Sequence, residues 1–257
     1  MARAHKTAAR SALGEARVAV TERDGWVEAT LDRPAQGNRV SAAMGYELMA
    51  LCERVEDDDS VRALAIRGAG NLFCEGFEPD VDPNLVESLA AVTKPTVAIL
   101  NGDARDEGLE LAMAADIRIA IRGARFALTQ PERGLIPRFG ATQRLPRLCG
   151  IGNALRMLLA GAEIDGTEAM RIGLATYLAA NPRELARLRG EVAHAILTRA
   201  PIAARLVKEA VRKGYDMTLD QGIRLEEDLY ALLQTTADRA EGVRAFLEKR
   251  KPLFRGA

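Results

Sequence analysis

Apolar and polar positions along this chain change period several times, and each change marks an element. Val18-Ala19-Val20 and Trp26-Val27-Glu28-Ala29-Thr30-Leu31 read as strands, and Asp24-Gly25 between them is a hairpin turn signal. From Ser41, a good helix N-cap, the period lengthens, and Met44, Leu48, Leu51 and Val55 fall on one helical face. The acids Glu56 to Asp59 close that helix poorly and are expected to start the next loop. Val61 to Arg67 reads as a strand ended by Gly68-Ala69-Gly70, and Leu85 to Val92 as a short helix. Pro95 opens an apolar strand from Thr96 to Leu100, and Ile117 to Ala120 and Ala124 to Leu128 are further strands.

After Pro146 the pattern becomes helical. Ile151 to Ala160 is one helix, and Asp165-Gly166-Thr167-Glu168 is an Asx-type capping box opening another. Arg183 to Arg199, Ala203 to Lys213, Leu219 to Leu233 and Arg239 to Lys249 follow as helices. Strands and helices mix up to about residue 145 and helices alone come after, which predicts an α/β core with a helical C-terminal region. The expected division is a disordered tail over 1–14, a core over 15–200 and a helical region over 201–257.

Composition narrows the classes. A chain of 257 residues with 48% hydrophobic positions can bury one large core. No apolar run approaches the ~18 residues of a membrane span, and a formal net charge of +0 makes no case for nucleic acid. Cys52, Cys74 and Cys149 are widely spaced and form no CxxC pair, so free buried thiols in a reducing cytoplasm are expected, with neither metal nor disulfide. His5 and His194 are the only histidines and no GxSxG occurs, which disfavours a Ser-His-Asp mechanism. Gly150-Ile151-Gly152 lacks the third glycine of a dinucleotide loop and reads as a helix entry, and Asp57-Asp58-Asp59 reads as a solvated turn.

The candidate chemistry lies in Asn101 to Asp116. An apolar strand runs into Asn101-Gly102, and helical spacing then begins with Glu110 inside the otherwise apolar Gly108-Leu109-Glu110-Leu111-Ala112. A strand that delivers backbone N–H groups and one acid to a helix start suits a developing oxyanion. Glu110 is either a catalytic acid–base or a buried charge with no local partner, and the second is costly.

These residues, taken in order, resemble a known family. Leu31-Asp32-Arg33-Pro34 with Asn38 comes first, then Arg62 to Gly70 leading to Phe73-Cys74-Glu75-Gly76, and Lys94-Pro95 leading to Asn101-Gly102. Gly108 to Ala112 with Asp116, Gly134-Leu135-Ile136-Pro137 and Thr142-Gln143-Arg144-Leu145-Pro146 follow. Ala169 with Ile172-Gly173-Leu174, and Phe246 to Pro252, complete a pattern similar to the crotonase, or enoyl-CoA hydratase/isomerase, superfamily. The resemblance implies a spiral core of ββα turns with a helical C-terminal oligomerisation region, and a homotrimer or homohexamer. It implies an acyl-CoA substrate, no separate cofactor, fatty-acid type metabolism, and an enolate held by two backbone N–H groups. By position these belong to Phe77 and Glu107, with Glu110 as the first catalytic acid. It also sets Gly76, Glu132, Arg138, Phe139 and Lys251 against the substrate, Lys251 toward the CoA phosphates from its own or a neighbouring subunit.

The chain departs from the family's pattern at four places. Asp106 and Glu107 stand where the family has glycines. The second catalytic acid falls by ungapped counting on Gln130, although Gln130-Pro131-Glu132 also allows Glu132 there through two gaps. Arg138-Phe139 and a short Asp80 to Thr93 segment reshape the acyl walls. Glutamine can orient water but cannot transfer a proton. The expectation is therefore an atypical hydratase or isomerase with Glu110 as the single main acid–base, set against a non-catalytic acyl-CoA binder or assembly subunit.

Overall fold

The computed structural model describes residues 18–257; the tail expected over 1–14, with His5, lies outside them. β1 (Val18–Arg23) and β2 (Trp26–Leu31) form the expected antiparallel hairpin. Asp24 and Gly25 both take positive φ, the twist that two-residue hairpin turns need. Ser41 caps α1 (Ala42–Asp57) by accepting the Met44 N–H, and Met44, Leu48, Leu51 and Val55 are all buried. Each such burial stabilises by roughly 1.5–3 kcal/mol. The helix runs through Glu56 and Asp57, correcting the earlier stop. Its last turn is tied down because the Glu56 carboxylate accepts the Thr93 N–H at 2.9 Å and meets Arg205.

The core is then built by repeating units of two strands and a helix. β3 (Ala63–Gly68) is followed by β4 (Leu72–Cys74) and α2 (Leu85–Ala91). β5 (Thr96–Leu100) is followed by β6 (Asp103–Arg105) and α3 (Asp106–Ala114). β7 (Ile117–Ile121) is followed by β8 (Arg125–Ala127), a 3₁₀ turn over Gln130–Arg133, and α4 (Ala141–Cys149). The first strand of each unit enters a six-stranded sheet of order β1-β2-β3-β5-β7-β10 (β10, Tyr177–Ala179), and the second enters a four-stranded sheet of order β4-β6-β8-β9 (β9, Ile164–Asp165). The chain therefore winds as a ββα spiral between two sheets.

α5 (Ile151–Leu159), β9 (Ile164–Asp165), α6 (Gly166–Arg171) and β10 (Tyr177–Ala179) come next. The expectation of helices alone after about residue 145 is thus corrected. β9 pairs antiparallel with β8, and β10 parallel with β7, closing the far edge of each sheet. Asp165 caps α6 through the Glu168 N–H at 2.8 Å, as its capping box predicts. α7 (Pro182–Leu197), α8 (Pro201–Gly214), α9 (Leu219–Leu233) and α10 (Ala237–Leu247) make the helical C-terminal region.

Alternate residues of the large sheet serve two cores. Val27, Ala29, Leu31, Leu64 and Ile66 face the helices α1 and α2, while Trp26, Ala63, Ala65, Val97 and Ile99 face Leu185 and Val192 of α7. Two buried asparagines fasten successive turns of the spiral. Asn38 Nδ2 donates to the Ala69 and Leu72 carbonyls. Asn101 joins the backbone of Gly68 in both directions and donates to the Gly70 carbonyl. Asp116, at the end of α3, binds Thr96, Lys208 (2.7 Å) and Arg212 (2.6 Å), which pins α8 to the spiral.

Candidate active site

Glu110 sits in the middle of α3 and is fully buried. Its Oε1 accepts the backbone N–H groups of Phe139 and Ala141, both at 2.9 Å. Its Oε2 faces Gln130, whose Nε2 lies 3.3 Å away. Burial pushes the carboxyl up from 4.5 to about 7, against the two N–H donors that favour its charge, with Glu107 and Asp106 adding to the rise. An acid poised near neutrality can both take and return a proton.

Gln130 is 2% exposed, and its Oε1 has no hydrogen-bond partner among the described residues. Glu132 is exposed, and its carboxylate turns toward Gly161 rather than toward Glu110.

The loop that carries Gly76 and Phe77 packs directly on the first turn of α3. A Cβ on Gly108 would lie 2.2 Å from the Cys74 carbonyl oxygen, so only glycine allows this approach. The loop is fastened from the other side: Glu75 N–H donates to Gly37 O at 3.0 Å and Glu78 N–H to Val40 O at 2.8 Å. Arg39 donates to the Glu75 and Phe77 carbonyls. Phe77 N–H, between these anchored neighbours, turns to α3 and donates to Glu107 Oε2 at 3.3 Å. The N–H groups of a helix's first turn, Glu107 among them, have no acceptor within the helix.

Asp106 takes a left-handed φ of +46°, a conformation that favours glycine. Its carboxylate accepts the Thr129 N–H and hydroxyl and pairs with Arg133 at 2.8 Å, which compensates the backbone. Asp106 is thus a fastener between α3 and the 129–133 turn. The sequence signal for this was available in Thr129 and Arg133, but the spacing alone did not connect them.

Phe77 and Phe139 stack edge to face with centroids 5.1 Å apart, and the Arg138 guanidinium lies 4.9 Å from the Phe139 ring centre. Arg138, Phe139, Gly140, Pro83 and Val86 line a cavity of ≈ 530 Å³ between α2 and α4. Lys251 lies elsewhere, with Asp238, Glu241 and Arg244 around a second cavity of ≈ 470 Å³. The three cysteines are free and buried, and burial pushes the thiols of Cys52 and Cys74 up to about 12, which removes them as nucleophiles. Among the described residues, no cluster of three His, Cys, Asp or Glu side chains is placed to hold a metal, and no helix is long and apolar enough to cross a membrane.

Beyond the buried acid in mid-helix and the loop packed on that helix, the chain as a whole matches a known family over almost its full length. The model for enoyl-CoA hydratase/isomerase matches residues 21–257. The chain belongs to that family. It is 36% identical over 243 residues to (E)-benzylidenesuccinyl-CoA hydratase of Thauera aromatica, covering 89% of this chain and 94% of that protein. It is 34% identical over 246 residues to 1,2-epoxyphenylacetyl-CoA isomerase of Escherichia coli (strain K12), covering 88% of this chain and 94% of that protein. The crystal structure of an enoyl-CoA hydratase from Bacillus anthracis superposes with a TM-score of 0.90 at 32% identity, covering 94% of this chain and all of that one (100%).

Proposed function

We propose that this chain is an enzyme acting on a conjugated acyl-CoA thioester, with Glu110 as the single main acid–base. The observation that carries the reading is the state of Glu110: buried, held through Oε1, and titrating at about 7. The thioester oxygen is received by the N–H groups of Phe77 and Glu107, and negative charge grows on it as Glu110 moves a proton nearby. Gly76, Arg138 and Phe139 wall the acyl group, and Lys251 contributes to CoA binding. No cofactor beyond the CoA of the substrate is required by this chemistry.

Hydration is the first reading. The Oε1 of Gln130 supports it, since a buried amide oxygen with no partner among the described residues suits a water molecule placed against Glu110. Glu110 then takes a proton from that water and supplies one to the carbon next to the thioester. Isomerisation is the second reading, supported by the presence of only one titratable group between Glu110 and Gln130. A single base can remove a proton and return it two carbons away. The names of the relatives include both chemistries, a hydratase and an isomerase.

Assembly as a homotrimer or homohexamer is part of the proposal. Val207, Val211, Tyr215, Leu219 and Ile223 of the α8–α9 region are exposed apolar residues in a single chain, which supports burial against further copies. The test of the chemistry is a panel of CoA thioesters incubated in deuterated water and read by mass spectrometry. Gain of water marks a hydratase, and exchange with double-bond movement marks an isomerase. Neither, with binding retained, refutes catalysis and leaves an acyl-CoA binder.

A further inference from the structure

The position meant for the thioester oxygen already has an occupant. Glu107 Oε2 accepts the Phe77 N–H at 3.3 Å. This inference rests on the proposed reading of the Phe77 and Glu107 N–H groups as the pair that receives that oxygen. With the Glu107 carboxylate on Phe77, a substrate carbonyl cannot take the same donor. An enolate forming beside an ionised carboxylate is also opposed by direct repulsion. The side chain therefore has to leave before the reaction can run.

Arg39 offers it a place to go. Gly76 has φ +130° and no side chain, and the space over its Cα is shared by two charged groups. A Cβ there would lie 2.8 Å from Glu107 Oε2 and 3.3 and 3.4 Å from the two amino groups of Arg39. Arg39 now spends those groups on neutral carbonyls, Glu75 O at 3.1 Å and Phe77 O at 3.0 Å. A guanidinium prefers a carboxylate to a carbonyl, and bonds between charged partners are roughly twice as strong as neutral ones. Glu107 is half-buried, and both its carboxylate and the Arg39 guanidinium border the bare face of Gly76.

We propose that Glu107 is a carboxylate gate on the oxyanion position, closed on Phe77 N–H in the free protein and opened onto Arg39 when a thioester binds. The gate makes the chain selective. A ligand must bring enough binding energy from its remote parts to displace the carboxylate. Short unsubstituted acyl groups, which have little to offer, are then the poorest ligands. The residue that replaces a family glycine thus sets which acyl-CoAs are accepted, separately from the acid–base work of Glu110.

The test is titration calorimetry with butyryl-CoA, a short saturated thioester that cannot be hydrated. It is run on wild type, Glu107→Ala, Glu107→Asp and Glu107→Gln, with folding checked by circular dichroism. Ala opens the donor, and Asp keeps the charge but is one methylene too short to hold Phe77 N–H. Both are expected to bind about tenfold tighter, the low end of what a hydrogen bond to a charged group contributes. Gln keeps the length and an acceptor oxygen and stays within about threefold of wild type. Arg39→Met is expected to weaken binding in wild type but not in Glu107→Ala, a coupling that a merely structural Arg39 would not show. The gate is refuted if Ala binds no tighter than wild type, if Gln gains as much as Ala, or if the Arg39 effect is the same in both backgrounds. Absence of butyryl-CoA binding in every variant, Ala included, overturns the acyl-CoA reading itself and the gate with it.

Discussion

Replacing Glu110 by glutamine should raise stability while removing activity, and the two effects separate a chemical role from a structural one. In the folded protein the carboxyl titrates at about 7 instead of 4.5, so keeping it ionised costs about 3 kcal/mol at ~1.4 kcal/mol per pH unit. The sign follows from proton linkage. A folded-state pKa above the unfolded one means that the folded state binds the proton more tightly. The associated stability is complete below pH 4.5 and is lost as pH rises through about 7. Glutamine is neutral throughout and forfeits nothing on going to high pH. Its Oε1 can keep the Phe139 and Ala141 N–H bonds, and once the Gln130 amide turns over, its Nε2 can donate to Gln130 Oε1. At pH 9 the variant should therefore melt higher than wild type by up to roughly 6–12 °C, using ~2–4 °C per kcal/mol for a chain of this size. At pH 5 the difference should nearly vanish. Thermal melts at pH 5, 7 and 9 give the measurement, with turnover of an enoyl-CoA followed in parallel. A stability difference that does not grow with pH would show that Glu110 does not hold its proton near neutrality. Full activity in the variant would sink the acid–base assignment.

Three further outcomes follow from the same geometry. If Glu110 acts as a base, kcat/KM should rise from pH 6 to 8 with a midpoint near the Glu110 value of about 7; a flat profile contradicts that role. Gln130→Glu places a second carboxyl against Glu110 Oε2 and should raise hydration of crotonyl-CoA, by up to the ~10²–10⁴ that one acid–base group is worth; no gain in initial rate counts against Gln130 as the water-placing residue. Asp116→Ala leaves Lys208 and Arg212 without their shared carboxylate and should cost ~2–4 kcal/mol in urea unfolding; an unchanged midpoint would mean that α8 is held by its apolar contacts alone.

The elements legible in the sequence were those long enough to show a period. The β1–β2 hairpin, α1, the strand Thr96–Leu100 and the helices from Ile151 onward lie where the pattern puts them. β4, β6, β9 and β10 are two or three residues long, too short for alternation to register, and exist because the spiral supplies a neighbour for each. α4 was obscured by Pro146, which breaks the helical reading locally although Ala141, Leu145 and Cys149 still share a buried face. At the site, Glu110 was readable as an acid among apolar neighbours, and Gln130 by counting. The partners of Glu110 were not readable, because Phe139 and Ala141 reach it through main-chain N–H groups, which carry no side-chain signature. Nor could sequence place the Glu107 carboxylate on Phe77, a contact across thirty positions set by the packing of a loop on a helix.

The approach of Gly108 to the Cys74 carbonyl has a consequence for how such a molecule can diversify. Main chain rests there on main chain, with no side chain as a spacer. The separation between loop and helix is therefore a constant of the scaffold, indifferent to which residues stand at positions 77, 107, 138 or 139. Exchanges at those positions can alter the size, polarity and entry conditions of the chamber one at a time. The distance between the Phe77 and Glu107 N–H groups, the pair proposed to receive the thioester oxygen, stays as it was. Novelty in substrate can thus accumulate without re-engineering the part that must remain accurate.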